Sequence, residues 1–196
     1  MSKTPSSPTP LRVLATSAAA GATIAVVLAV LGGRALSAQD KYTVQVPNGL
    51  SFSEFRGFED WPTVAVSQAG DLIEVIVGNP VIIDAYRAGI PGNGQAVPNG
   101  AKMAKIHWKP KQNQFFPDAT VPGDLVNVDF MVKDSKRFAD SGGWGYAVFD
   151  YNAASDTFTP GTTAGTPPQG NDAKCGFACH TTAKARDYVF TEYGKR

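Results

Sequence analysis

The stretch Ala101-Lys-Met-Ala-Lys-Ile-His-Trp108, followed after a loop by Leu125-Val-Asn-Val-Asp-Phe-Met-Val132, decides how this chain is read. Successive side chains of a strand point to opposite faces, so Met103, Lys105 and His107 fall on one face and Lys102, Ala104, Ile106 and Trp108 on the other. Residues 63–66, 72–77 and 144–151 are equally rich in β-branched or aromatic residues, with Gly, Pro, Asn or Asp at their borders. Residues 42–46 alternate in the same way and are expected to open the mature part as a half-buried strand. The fold class expected is α+β: a mainly antiparallel sheet with one or two short packing helices.

Between the strands, Asn79-Pro80 supplies an N-cap and a first-turn proline, after which Val81, Ile82, Ala85 and Tyr86 recur at helical spacing as far as Gly89. A second short helix is expected over residues 181–188. Residues 90–100 and 152–172 are rich in Gly, Pro, Thr and Asn and read as loops. At 196 residues, 43% hydrophobic and 18% charged, the chain holds one ordinary core.

Residues 1–38 contain Lys3, Arg12 and Arg34 but no acid, and residues 13–33 are uncharged and rich in Ala, Val and Leu. With the small residues Ala35-Leu-Ser-Ala38 behind it, this segment reads as a signal peptide or an N-terminal membrane anchor, leaving 39–196 as the functional domain. Either way that domain is expected in the periplasm or otherwise exported, with membrane contact only through an uncleaved N-terminal segment. Beyond residue 38 the chain has 15 basic against 17 acidic residues, a net of −2, so nucleic acid is not an expected partner.

The two cysteines of the chain both lie in Lys174-Cys-Gly-Phe-Ala-Cys-His180. Two thiols and an imidazole within six residues are what covalent haem attachment needs: Cys175 and Cys179 as thioether donors and His180 as an axial ligand to the iron. The usual motif has two residues between the cysteines, whereas Gly176, Phe177 and Ala178 make three here. The same residues also suit a small-loop disulfide in an exported protein. A zinc site would need His107, His180 and both cysteines to converge, because the chain has no other histidine.

Cys175 to His180, the following Ala183-Lys-Ala-Arg-Asp-Tyr-Val-Phe-Thr191, the run Met131-Val-Lys-Asp-Ser-Lys-Arg-Phe138 and Gly143-Trp-Gly145 together resemble the cytochrome P460 family and its relatives, the β-sheet cytochromes c′. The resemblance spans roughly residues 60–196. It implies a small antiparallel β protein, usually a homodimer, with one covalently attached haem c per chain, His180 as proximal ligand and an open distal face. In the hydroxylamine-oxidising members a lysine is cross-linked to the porphyrin and an acid nearby handles protons; in the cytochrome c′ relatives that link is missing and the site binds nitric oxide. Gly100-Ala-Lys-Met-Ala-Lys105 puts Lys105 at the position of the family's lysine, and the acid falls on Asp129, shorter than the glutamate associated with that place.

The resemblance therefore implies an exported mono-haem c-type cytochrome that oxidises hydroxylamine or a related small nitrogen compound and passes electrons to a soluble partner. The alternatives are a haem protein that only binds nitric oxide or carries electrons, and a haem-free, disulfide-bonded β domain. Read without the resemblance, Lys105 is an ordinary solvated lysine. His107 is a pocket or surface residue, or else a sixth iron ligand. Trp61, Trp108, Trp144 and most of the eleven phenylalanines read as core and haem packing.

Overall fold

The computed structural model describes residues 39–47, 50–165, 170 and 176–196, which lie in one compact unit. Residues 1–38, with the expected signal peptide or anchor, and Cys175 are outside the described residues. Strands β1 (Thr63–Ala69), β2 (Leu72–Gly78), β3 (Lys102–Gln112), β4 (Thr120–Lys133), β5 (Trp144–Asn152) and β6 (Thr157–Pro160) form a six-stranded antiparallel sheet whose spatial order is the chain order. Helix α1 (Pro80–Arg87) connects β2 to β3, and a single helical turn α2 (Phe177–His180) runs into a 3-10 turn, Thr181–Arg186. None of the described helices is long and apolar enough to cross a membrane.

Helix α1 starts where the sequence places it. The Asn79 side-chain oxygen accepts the Ile82 amide at 3.2 Å and also the Lys102 amide at 3.0 Å, so one cap fixes both the helix start and the first residue of β3. Ile82, Ile83 and Ala85 are the buried stripe.

The pleat divides the protein into two apolar layers. On one face Val77, Ala104, Val128, Phe130 and Phe149 meet Phe52, Phe55 and Phe58 from the 3-10 turns that precede β1. Phe55 stacks on Phe130 at 4.0 Å, and Phe52 meets Phe130 and Phe149 at 5.0 Å each; such pairs add about 0.5–1.5 kcal/mol each beyond the area they bury. On the other face Ile76, Met103, Met131 and Tyr146 are covered by α1 and by Val189 of the C-terminal segment.

Two expectations change. Residues 42–46 keep their alternating burial, with Val44 and Val46 inside, but do not form a strand of the sheet. The Asp40 carboxylate accepts the Tyr42 amide and starts a 3-10 turn, and the chain then pairs with itself through the single bridge Gln45–Ser51. Within the expected loop 152–172, Thr157–Pro160 pairs with β5 as a short edge strand, after a turn in which Asp156 has φ 52°.

Replacing Phe52 by Ala, at the centre of the aromatic layer, should lower the unfolding free energy by about 3–5 kcal/mol in urea titration.

Candidate functional site

A cavity of about 470 Å³ opens between the second face of the sheet and the C-terminal segment, within the size range of small-molecule sites. The sheet wall contributes Lys105, Asp129 and Glu74, and the C-terminal wall contributes Cys179 and His180. The rest of the lining is mostly apolar, Met103, Met131, Val148 and Phe190 among it. The structure thus brings together four of the five residues singled out in the sequence; the fifth, Cys175, lies outside the described residues. Cys179 is a free, exposed thiol.

The His180 ring is held from several sides. Its Nδ1 is 2.6 Å from the Tyr188 carbonyl oxygen, which can only accept, so Nδ1 carries a proton, and in the neutral ring the lone pair lies on Nε2. Such a second hydrogen bond fixes the ring and raises the basicity of a metal-binding histidine. The ring packs on Tyr146 at 5.0 Å and on Phe190 at 4.9 Å.

Tyr188 reaches His180 because the chain reverses through two left-handed residues, Asp187 (φ 49°) and Tyr188 (φ 64°). Such conformations cost a non-glycine residue of order 1 kcal/mol or more each and persist when the surroundings impose them. Here the Asp187 carboxylate is 2.7 Å from Lys133 Nζ and accepts the Val97 amide at 2.8 Å, while the Asp187 carbonyl accepts Trp144 Nε1–H at 2.8 Å. Both side chains of the ion pair are largely buried, at 7% and 14% exposure. Gly142 leaves room for the Tyr188 ring, which a Cβ at that position would overlap.

On the sheet wall, cross-strand register sets the chemistry. Glu74 pairs with His107 across β2 and β3, Lys105 with Asp129 across β3 and β4, and His107 with Asn127. Lys105 Nζ lies 3.7 Å from Glu74 Oε1 and 3.9 Å from Asp129 Oδ2. His107 is neither a surface residue nor part of the cavity lining: it is 3% exposed, its Nδ1 bonds Asn127 Oδ1 and its Nε2 is 3.1 Å from Glu74 Oε1.

The two acids differ. For Glu74, burial alone would raise the carboxyl, but the Ser67 hydroxyl at 2.7 Å, Lys105 and His107 outweigh it and hold it below its ordinary value. For Asp129 burial wins over His107 and Lys105 and, helped by Glu74 and Asp150, pushes the carboxyl up. Asp129 Oδ1 is buried with no hydrogen-bond partner among the described residues. An orphaned buried oxygen of that kind is costly unless a ligand or water serves it.

Glu74, Lys133, Asp187 and Tyr188 were not singled out from the sequence as site residues. For Glu74 the available signal was alternation, which sets it on the same face of β2 as the buried Ile76.

A β-sheet protein with an apolar cavity walled by an anchored histidine, a neighbouring thiol and an acid with an unserved oxygen has the features of a haem-binding protein, and the donor set fits that group. Residues 55–191 match the family model described as Cytochrome P460, and a search of curated proteins found none that matches the chain. The chain belongs to the cytochrome P460 family, and its family cofactor is haem.

Removing the Lys133 ammonium (Lys133→Met) leaves Asp187 buried without its charge partner and should cost about 3–5 kcal/mol of stability in denaturant titration. Stability should also respond to pH in opposite ways at the two acids. Glu74, lowered from 4.5, contributes stability that is present above 4.5 and is lost as pH falls through its folded value. Asp129, raised from 3.8, contributes stability that is present below 3.8 and is lost as pH rises through its folded value. Asp129→Asn should therefore raise the melting temperature more at neutral pH than in acid, and Glu74→Gln should flatten the loss of stability on acidification.

Proposed function

We propose that this chain is an exported c-type cytochrome that oxidises hydroxylamine or a related small nitrogen compound. The observation that carries this reading is Asp129: a buried carboxyl, raised by its surroundings, with an unserved oxygen, on the wall of an otherwise apolar cavity that also holds Lys105 and His180. A site built only to bind a neutral diatomic gas has no need of such a group.

His180 would ligate the iron through Nε2, with its Nδ1–H held by the Tyr188 carbonyl. Cys179, with Cys175, would attach the macrocycle through thioether bonds, each thiol adding across a vinyl group. When bound, haem c would supply an iron able to bind a small nitrogen compound and take up its electrons. Lys105, on the cavity wall, would be the lysine joined to the porphyrin edge, as in the hydroxylamine-oxidising members of the family. Asp129 accepts a substrate proton at Oδ1, and its raised proton affinity suits it to hold that proton. The apolar lining keeps bulk water from competing for the charge. The reading carries with it one haem per chain, a homodimer, a soluble electron acceptor and a periplasmic location reached through residues 1–38.

The test is expression of the full chain in a periplasm with haem-attachment machinery. Intact mass should rise by one haem, and His180→Ala should lose the native haem spectrum; an unaltered spectrum in that variant removes His180 as ligand. Lys105→Leu should turn a cross-linked ferrous spectrum into an ordinary c-type one with haem still bound. Asp129→Ala should slow hydroxylamine turnover by about 10²-fold or more with little change in ligand affinity, the usual scale for losing a positioned acid or base.

A further inference from the structure

Beyond Trp108 on β3 and before Asn127 on β4, these two strands pair only with each other among the described residues, because β2 reaches no further than Trp108 and β5 no further than Asn127. Residues 109–126 are therefore a two-stranded arm that projects past the rest of the sheet. At its end the Asn113 side-chain oxygen accepts the amides of Phe115 at 2.8 Å and Phe116 at 3.1 Å. The Asn113 amide donates to the Ala119 carbonyl and the Ala119 amide to the Phe116 carbonyl, each at 2.9 Å. This turn holds Phe115 91% and Phe116 62% exposed. Adjacent phenyl rings kept in water by an ordered turn mark a surface that another molecule covers.

At the base of the arm, on the sheet face opposite the cavity of Lys105 and His180, lies a groove of about 670 Å³ floored by Phe58, Ile106, Trp108, Leu125 and Phe158. That volume is ample for two phenyl rings. The arm cannot fill it from its own tip. Its strands are held extended by the pairs Pro110–Pro122, Lys111–Val121 and Gln112–Thr120, and at Gly123 they approach so closely that a Cβ would lie 2.7 Å from the Lys109 carbonyl oxygen. Phe115 thus stays roughly 20 Å of chain beyond Trp108.

We infer that the groove takes Phe115 and Phe116 of a second copy of this chain, two copies exchanging arms about a two-fold axis. Such an axis, set across the arms, puts each tip at the other copy's groove, so both contacts form together and the assembly closes as a dimer. The areas agree. Aromatic side chains bury about 150–250 Å² each, so four phenyl rings and the groove surface that covers them remove about 1,200–2,000 Å² from water, the size of a stable interface. The charges agree as well, since Lys111 is exposed on the arm while Asp124 and Asp156 are exposed on the groove rim. Edge-to-edge strand addition is opposed by Pro110 and Pro122, one on each strand of the arm, which have no N–H to donate. Docking by side chains is the mode left. Because the groove faces away from the cavity, the contact is independent of what that cavity binds or oxidises, and it gives the proposed homodimer its surface.

The test is sedimentation velocity on the full chain purified from a periplasm, at a series of concentrations. The unaltered protein should sediment as a dimer, and Phe115→Ser/Phe116→Ser should raise the dissociation constant by about 10²-fold or more with an unchanged near-ultraviolet circular dichroism spectrum. Ala153→Arg, which blocks the groove from an exposed lining position, should weaken the dimer comparably. A mixture of the two variants should regain part of the association, because one intact tip then meets one intact groove. A monomeric unaltered protein, the result expected if the residues before Gln39 fill the groove, overturns the proposal. A phenylalanine variant that dimerises as tightly as the unaltered chain also overturns it, while leaving the homodimer in place on another surface. Full affinity in Ala153→Arg, or no gain on mixing, overturns the exchange by showing that the tips do not enter the grooves.

Discussion

The ion pair between Lys133, the last residue of β4, and Asp187, on the reversal after the final helical turn, is the contact on which the site depends. Its charges are close to fully removed from water, so neither residue is tolerable there without the other. The Lys133 ammonium also donates to the Gly142 carbonyl at 3.1 Å and lies 5.1 Å from the centre of the Trp144 ring. Trp144 in turn holds the Asp187 carbonyl, and with both ends of Asp187 fixed the chain has to turn through left-handed backbone at 187 and 188. That turn aims the Tyr188 carbonyl at His180. A buried pair of this kind adds little net stability compared with apolar packing of the same volume. What it contributes is a single position for the C-terminal segment against the sheet, and hence for the imidazole against the cavity.

The other wall owes its chemistry to the pleat and the register. Each strand places alternate residues on the cavity face, and antiparallel pairing sets Glu74, His107, Lys105, Asp129 and Asn127 side by side without any loop to position them. A wall built on central strands is stiff, which suits groups whose separations matter to a few tenths of an ångström. The acids on it are chemically near-identical and yet pushed in opposite directions: burial raises both and Lys105 and His107 lower both, but at Glu74 the Ser67 hydroxyl tips the balance downward, whereas at Asp129 burial, helped by Glu74 and Asp150, prevails.

The family resemblance acquires a physical meaning in this arrangement. The run 131–138 supplies Lys133 and Phe138, the Gly143-Trp-Gly145 segment supplies the indole and, at Gly145, a position where a Cβ would come within 2.5 Å of the Phe138 ring, and the stretch after His180 supplies Asp187 and Tyr188. Motifs from two separate regions of the chain are the parts of one clamp.

Much of this was legible without coordinates. Alternation gave five of the six strands, the cap Asn79-Pro80 gave α1, and the pleat rule alone placed Met103, Lys105 and His107 on one face. The adjacency of Cys175, Cys179 and His180 is covalent, so sequence was enough to propose their shared chemistry. Tertiary structure decided the rest. Residues 42–46 show a strand's alternation, but alternation reports only which side chains are buried, and a local turn satisfied it as well as a sheet would have. Alternation sets Glu74 on the face of Ile76, but only register sets it against His107. Asp187 and Lys133 are 54 residues apart, and no local pattern marks two opposite charges for burial together. Sequence determines which face and which period a residue belongs to, since those follow from backbone geometry; which distant residue it meets is settled only when the whole sheet and its covering segment have found the arrangement that leaves no buried charge alone.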